Sequence, residues 1–179
     1  MIANIRRNAA TAIPAKLQPM YCVEGHIWGE IDSDFASANA HAFDRVIAAD
    51  CYWMPGEHVN LVHSMLHFLT HDPGGRVFIC AGFHTGRAKL ASFFDIAAER
   101  GLEVEEIYEE DAAGLRREWD KERDGGREDH TERKKWLVIA MLRRKVRSDV
   151  EQSDDMASFF GASTARPGYP PWTVSLAAP

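Results

Sequence analysis

Three short runs, apolar almost from end to end, constrain this chain more than any other feature. They are residues 43–49 (FDRVIAA), 76–81 (RVFICA) and 136–142 (WLVIAML). Runs of this length without polar alternation fit strands buried on both faces, the pattern of a parallel sheet. The segments between them carry the helical period instead. Val62, Met65, Leu66 and Leu69 recur at helical spacing within 57–69, and Leu90, Phe93, Phe94 and Ala97 do so within 89–100.

Turn residues punctuate these elements. Pro55 and Gly56 follow the first run, and Asp72-Pro73-Gly74-Gly75 stops the first helix. Thr85 is a candidate N-cap for the second helix, and Gly101 a candidate C′ residue. Residues 102–108 read as a more exposed strand with Leu102, Val104 and Ile107 inward. Residues 111–133 are highly charged and read as a short helix, then a loop around Gly125 and Gly126. Residues 17–23 alternate weakly and are a further candidate strand, 25–39 are loop-like, and 2–12 suit a short helix ended by Pro14. Strands alternating with helices predict an α/β fold, a mainly parallel sheet with helices on both faces. The last strand follows a long connection and is expected antiparallel at the edge.

The length of 179 residues suits one domain, and a 45% hydrophobic fraction suffices for a core. Domain character is expected over 1–147, and the polar, proline-containing stretch 148–179 reads as a disordered tail. A net charge of −6 with no dominant basic stretch argues against nucleic acid as a partner. No apolar run approaches a membrane span. Cys22, Cys51 and Cys80 are widely spaced and form no C-x-x-C pair. They read as buried thiols rather than a disulfide framework, which fits a reducing compartment such as the cytoplasm. Residues 1–21 carry Arg6, Arg7 and Lys16 and no acid, a composition also found in transit peptides.

Asp50 ends the first apolar run, where open α/β sheets place their ligands. A carboxylate there can orient an amine or attract a cation; it can equally belong to a tight turn. Tyr52 and Trp53 follow, suited either to a cation–π wall or to packing under the next helix. His63, His67 and His71 share a helix face at four-residue steps, yet no H-E-x-x-H motif or further ligand completes a metal site, so no metal is expected. The loop Gly82 to Arg87 (GFHTGR) lacks the ending of a phosphate loop; Phe83 and His84 are its candidates for substrate contact. The basic clusters 133–135 and 143–145 bracket the last strand and read as solvated gatekeepers.

Four stretches taken together resemble one family: Asn4 to Asn8 (NIRRN), Gly25 to Gly29 (GHIWG), Phe43 to Pro55 (FDRVIAADCYWMP) and Trp136 to Arg143. They are similar to the lysine-methyltransferase-like family of class I S-adenosylmethionine-dependent methyltransferases. The branch they look most like holds fungal proteins labelled nicotinamide N-methyltransferase-like, some of which methylate a translation elongation factor. The resemblance spans roughly residues 2–145. It implies a Rossmann-like sheet that is mainly parallel with an antiparallel last strand. It implies S-adenosylmethionine as cofactor, with Trp28 at the adenine end and Ala49 against the cofactor. It implies Asp50 as the catalytic carboxylate facing the substrate amine, with Tyr52, Trp53 and Phe83 lining the substrate side. The acceptor implied is a protein lysine or N-terminal amine; nicotinamide or another small amine is the alternative. The chain departs from the pattern at its start. It aligns from just after the family's second strand, so the first two strands, the glycine-rich loop and the ribose-binding acid have no counterpart. The expectation is a C-terminal portion of such an enzyme; a non-catalytic remnant or an incomplete gene product stays open.

Overall fold

The computed structural model describes residues 22–146. A short helix α1 (Asp34–Ala38) leads into strand β1 (Arg45–Ala49). A 3-10 turn (Pro55–Glu57) feeds helix α2 (His58–Phe68), followed by β2 (Arg76–Gly82), α3 (Arg87–Glu99) and β3 (Leu102–Asp111). Then come β4 (Arg116–Glu118), a 3-10 turn (Arg123–Gly126), a single helical turn α4 (His130–Arg133) and β5 (Trp136–Arg144). Residues 1–21 and 147–179, with the expected first helix, most of the strand at 17–23 and the tail, lie outside the described residues. Cys22 and Val23, the end of that expected strand, are not in a strand. The segment expected to be all loop contains α1, whose first turn is capped by the Ser33 hydroxyl accepting from the Ala36 amide at 3.2 Å.

The five strands form one sheet in the order β1-β2-β5-β3-β4. β1 and β2 pair in parallel, with Ile47 opposite Phe78 and Ala49 opposite Cys80. β5 runs antiparallel between β2 and β3. The expectation of an edge position for β5 is therefore corrected, and its own sequence gives the reason. A strand apolar along its whole length suits an interior place, whereas glutamate-rich β3 and the arginines of β4 suit the rim. The antiparallel direction is as expected. Because β5 is wedged in the middle, only β1 and β2 are parallel neighbours, so the sheet is mixed rather than mainly parallel in its pairing.

The core lies between the sheet and both long helices. Ala48, Val77, Ile79, Ala81, Val138, Ala140, Leu142 and Leu102 point from the strands toward Val62, Met65, Leu90, Phe93, Phe94 and Ala97 on the helices. The three alanines among the strand residues let the helices approach closely, and Phe93 fills the space with no exposure. Among the described residues the helices cover one face of the sheet, not two.

Three further expectations are corrected. The charged segment continues β3 into a hairpin instead of forming a helix. Asp111 makes the turn: its Oδ1 accepts from the amides of Ala113 and Leu115, both at 2.9 Å, and Gly114 supplies a φ of 82°. The charges then pair across the strands, Arg116 with Glu110 at 2.6 Å and Arg117 with Glu109 at 2.7 Å. Val104, opposite Leu142, stays 38% exposed outside the core, and the register shift between Val104 and Glu106 puts Ile107, opposite Ala140, against the core. The extra residue, Glu105, reaches Arg76 at 2.6 Å. Thr85 does not cap α3; the N-cap is Gly86, whose φ of 101° makes the turn without a side-chain bond.

Candidate active site

The candidate site lies at the carboxyl ends of β1 and β2. Asp50 follows β1 directly and holds a φ of 54°, in the left-handed region that asparagine and aspartate tolerate better than most residues. Three links hold it there. Its amide donates to the Cys80 carbonyl at 2.7 Å, which extends the parallel pairing by one residue. Its Oδ1 accepts from the Gly82 amide at 3.3 Å, and Oδ2 stands 3.7 Å from His84 Nε2. The carboxylate and the imidazole are both open to solvent. Gly82 leaves the room for that ring, since a Cβ there would come within 2.7 Å of His84 Nε2.

The residues after Asp50 divide between site and core. Cys51 is buried, its thiol bonded to the Ala49 carbonyl at 3.3 Å; burial, and then the Asp50 charge, push it up to about 11. A thiol so held is not a nucleophile near neutral pH. Tyr52 is only 2% exposed, edge-to-face with Phe93 at 4.4 Å, and its hydroxyl has no hydrogen-bond partner. Trp53 is 43% exposed. The loop is pinned from below by His58, which sequence reasoning missed: Nε2 donates to the Tyr52 carbonyl at 3.0 Å and Nδ1 lies 3.3 Å from the Ser92 hydroxyl. The signal available in the sequence was a histidine in the first helical turn after Pro55 and Gly56. Burial holds His58 below the usual histidine range, and so in its neutral form.

Phe83, expected on the substrate side, is 1% exposed. It stacks on Trp119 at 6.1 Å and lies beneath the Arg87 guanidinium at 4.2 Å. Tyr52 and Phe83 are thus wall-builders under the surface, and the groups open to a ligand at this end are Ala49, Asp50, Trp53 and His84.

Trp28 is half-buried and packs against the core. Its loop is strapped to α2 by Ser64, whose hydroxyl accepts from the Gly29 amide at 2.8 Å and lies 2.8 Å from His26 Nε2. Gly29 has a φ of 87°, and a Cβ there would meet the Asn60 side chain at 2.9 Å. The tryptophan-glycine pair is therefore needed as a pair, the glycine for the close approach and the indole for the packing.

The three histidines expected on one helix face do not share it, because α2 ends at Phe68 and His71 lies beyond it. His67 Nε2 donates to the Ala36 carbonyl at 2.9 Å, and the His71 ring lies tilted against His41 with centroids 4.0 Å apart. No group of three or more metal-ligating side chains is present among the described residues. No helix there is long and apolar enough to cross a membrane. Cys22 is exposed and Cys80 half-buried, so only Cys51 meets the expectation of a buried thiol.

No family model matches the chain. Two solved structures resemble it in part: M1.HpyAVI, with TM-score 0.45 and 15% identity over 70% of this chain and 56% of that one, and the M1.HpyAVI–SAM complex, with TM-score 0.45 and 13% identity over 88% and 67%. A curated relative, the "Protein N-terminal and lysine N-methyltransferase efm7" of Neurospora crassa, is 26% identical over 117 residues. That match takes in 61% of this chain and 42% of the relative, so the chain spans about two-fifths of the curated protein's length. The chain is thus similar in sequence to a fungal protein N-terminal and lysine methyltransferase, in line with the class I methyltransferase family that its own motifs resemble.

Proposed function

We propose that this chain carries the acceptor-side part of an S-adenosylmethionine-dependent N-methyltransferase acting on a protein lysine or N-terminal amine. The observation that carries the reading is the strained, solvent-open Asp50 at the end of β1, fixed by Gly82 on the neighbouring strand. Backbone strain maintained at an exposed polar residue marks functional positions, and the end of a strand is where open α/β sheets bind ligands. The efm7 relative favours a protein acceptor over a small amine. Acceptors of the translation elongation-factor kind belong to the same proposal.

The residues present suit one side of the cofactor. Ala49 is exposed and small, so a ligand can approach the backbone at the end of β1. Asp50 offers a carboxylate beside it. Trp28 offers a partly accessible indole for an adenine ring. When bound, S-adenosylmethionine supplies an electrophilic methyl carbon. The chain's own contribution is to attract and orient the amine: Asp50 draws in a cationic side chain, and Trp53 lays an aromatic face beside it.

Titration calorimetry of the purified chain with S-adenosylmethionine tests the reading. Micromolar binding, weakened at least ten-fold in Trp28→Ala with the fold intact by circular dichroism, is the expected result. A folded chain that binds no cofactor overturns it for this chain.

A further inference from the structure

We propose that His84, with Asp50 behind it, is the proton acceptor that frees the substrate amine for methylation; this rests on the methyltransferase reading above. A lysine or N-terminal amine arrives protonated at neutral pH, and an ammonium has no lone pair with which to attack. A methyltransferase of amines therefore needs a place for that proton. Imidazole is the side chain suited to take one near neutral pH.

The geometry points to His84 in three ways. It extends from the loop after β2, at the same sheet end as Asp50 and Ala49, and its side chain is two-thirds exposed (66%). Its Nε2 faces the Asp50 carboxylate at 3.7 Å, so Nδ1 is the nitrogen that remains to face a substrate. Gly82 has an ordinary backbone conformation, so its missing Cβ serves not the chain's path but the space that His84 occupies. The ionisable groups sharing this end are Asp50 after β1, Cys80 on β2 and Glu110 on β3. They are close enough that both carboxylates add to burial in pushing the Cys80 thiol up. Glu110 is already paired with Arg116 at 2.6 Å, so Asp50 is the carboxylate that stands beside the imidazole.

The step balances simply. The ammonium gives one proton to Nδ1 of neutral His84, and the freed nitrogen lone pair forms the N–C bond as the C–S bond breaks with its electron pair on sulfur. The imidazolium, held beside Asp50, then releases the proton to water. Asp50 orients and stabilises; His84 carries the proton.

Methyl transfer from S-adenosylmethionine to a lysine-containing peptide with a free N-terminus, followed at pH 7 and pH 9.5, tests this in wild type, His84→Gln and Gly82→Ala. At pH 7 His84→Gln is expected to lose about 100-fold in rate, the typical contribution of a positioned base. The deficit is expected to shrink below about ten-fold at pH 9.5, where more of the amine is deprotonated by solvent. Gly82→Ala, which displaces the ring without removing it, is expected to show the same pattern more weakly. The His84 ring Cε1–H resonance, assigned by its loss in His84→Gln, is expected to move on saturation with the peptide. Equal loss at both pH values, or no loss, overturns the role of His84 while leaving the methyltransferase reading intact. A wild-type chain that methylates no amine removes both.

Discussion

Arg87 and Glu109 form an ion pair inside the protein, 6% and 0% exposed, where the β3–β4 hairpin meets the first turn of α3. Both guanidinium ends engage both carboxylate oxygens, with Nη2 to Oε2 at 3.1 Å. Glu128 accepts from the same arginine at 2.8 and 3.0 Å, and Arg117 reaches Glu109 at 2.7 Å. Arg123 also reaches Glu109, at 3.5 Å, so three arginines gather on two glutamates in one network, which ties the loop after β4 over Phe83 and beneath the candidate site.

Removing Glu109 leaves Arg87, Arg117 and Arg123 with Glu128 as the one carboxylate of the network, an excess of buried positive charge that costs up to about 3–5 kcal/mol. Glu109→Leu is expected to lower the urea midpoint accordingly. The double variant Arg87→Met, Glu109→Leu is expected to recover most of the loss, because two apolar groups replace two satisfied charges. Stability losses that simply add in the double variant would show that the pair is not the source.

Asp50 is expected to separate stability from activity. In the left-handed region a Cβ costs about 1–2 kcal/mol, so Asp50→Ala is expected to be less stable than Asp50→Gly by about 1 kcal/mol. Both variants are expected to lose methyl transfer at least ten-fold. Paired thermal melts and rate measurements check this. An active Asp50→Gly would take the carboxylate out of the mechanism.

Acid is expected to destabilise the fold through its histidines before its carboxylates matter. Burial is the main cause that holds His26, His58 and His71 below the usual value of 6.5. Each is neutral in the folded state, while the unfolded chain takes up a proton below 6.5. Their contribution is therefore complete above 6.5 and is lost as pH falls from there toward the folded values. Each such histidine adds at most about 1.4 kcal/mol per pH unit to the slope. Melting curves at pH 7.5 and 5.5 are expected to show the drop, and His58→Gln to reduce it. A slope untouched by that change would assign the effect to other groups.

Much of the fold was legible because its signals are local. The apolar runs became β1, β2 and β5, and the helical stripes became α2 and α3, since periodicity follows directly from which face is buried. The carboxyl-end location of Asp50 followed from the same pattern. What sequence reasoning missed depends on partners far along the chain. The place of β5 between β2 and β3 is decided by which strand can afford burial on both sides, a comparison among strands rather than a property of one. The hairpin at 111–118 was hidden by its charges, which look like a solvated helix until Arg116 and Arg117 are set opposite Glu110 and Glu109. Tyr52 and Phe83 are aromatic residues beside a site, and only Phe93 and Trp119, contributed by α3 and the chain after β4, settle that they point inward.

The face of the sheet turned away from the helices is expected to make the chain self-associate. Ile47 and Phe78 are register partners there, 49% and 39% exposed, and Phe78 in turn lies opposite Met141 on β5. One row along, Cys80 stands opposite Ile139, and Gly82 opposite the exposed Leu137. No helix among the described residues covers this surface, and a contiguous apolar patch of this kind drives association. Sedimentation velocity across a concentration series is expected to show the mean mass rising with concentration for the wild type. Phe78→Thr keeps strand propensity while removing the largest ring from the patch, so it is expected to shift that rise to higher concentration. A wild type that stays monomeric throughout would mean that the face is already covered by other polypeptide, and Phe78→Thr would then lower stability instead of changing mass.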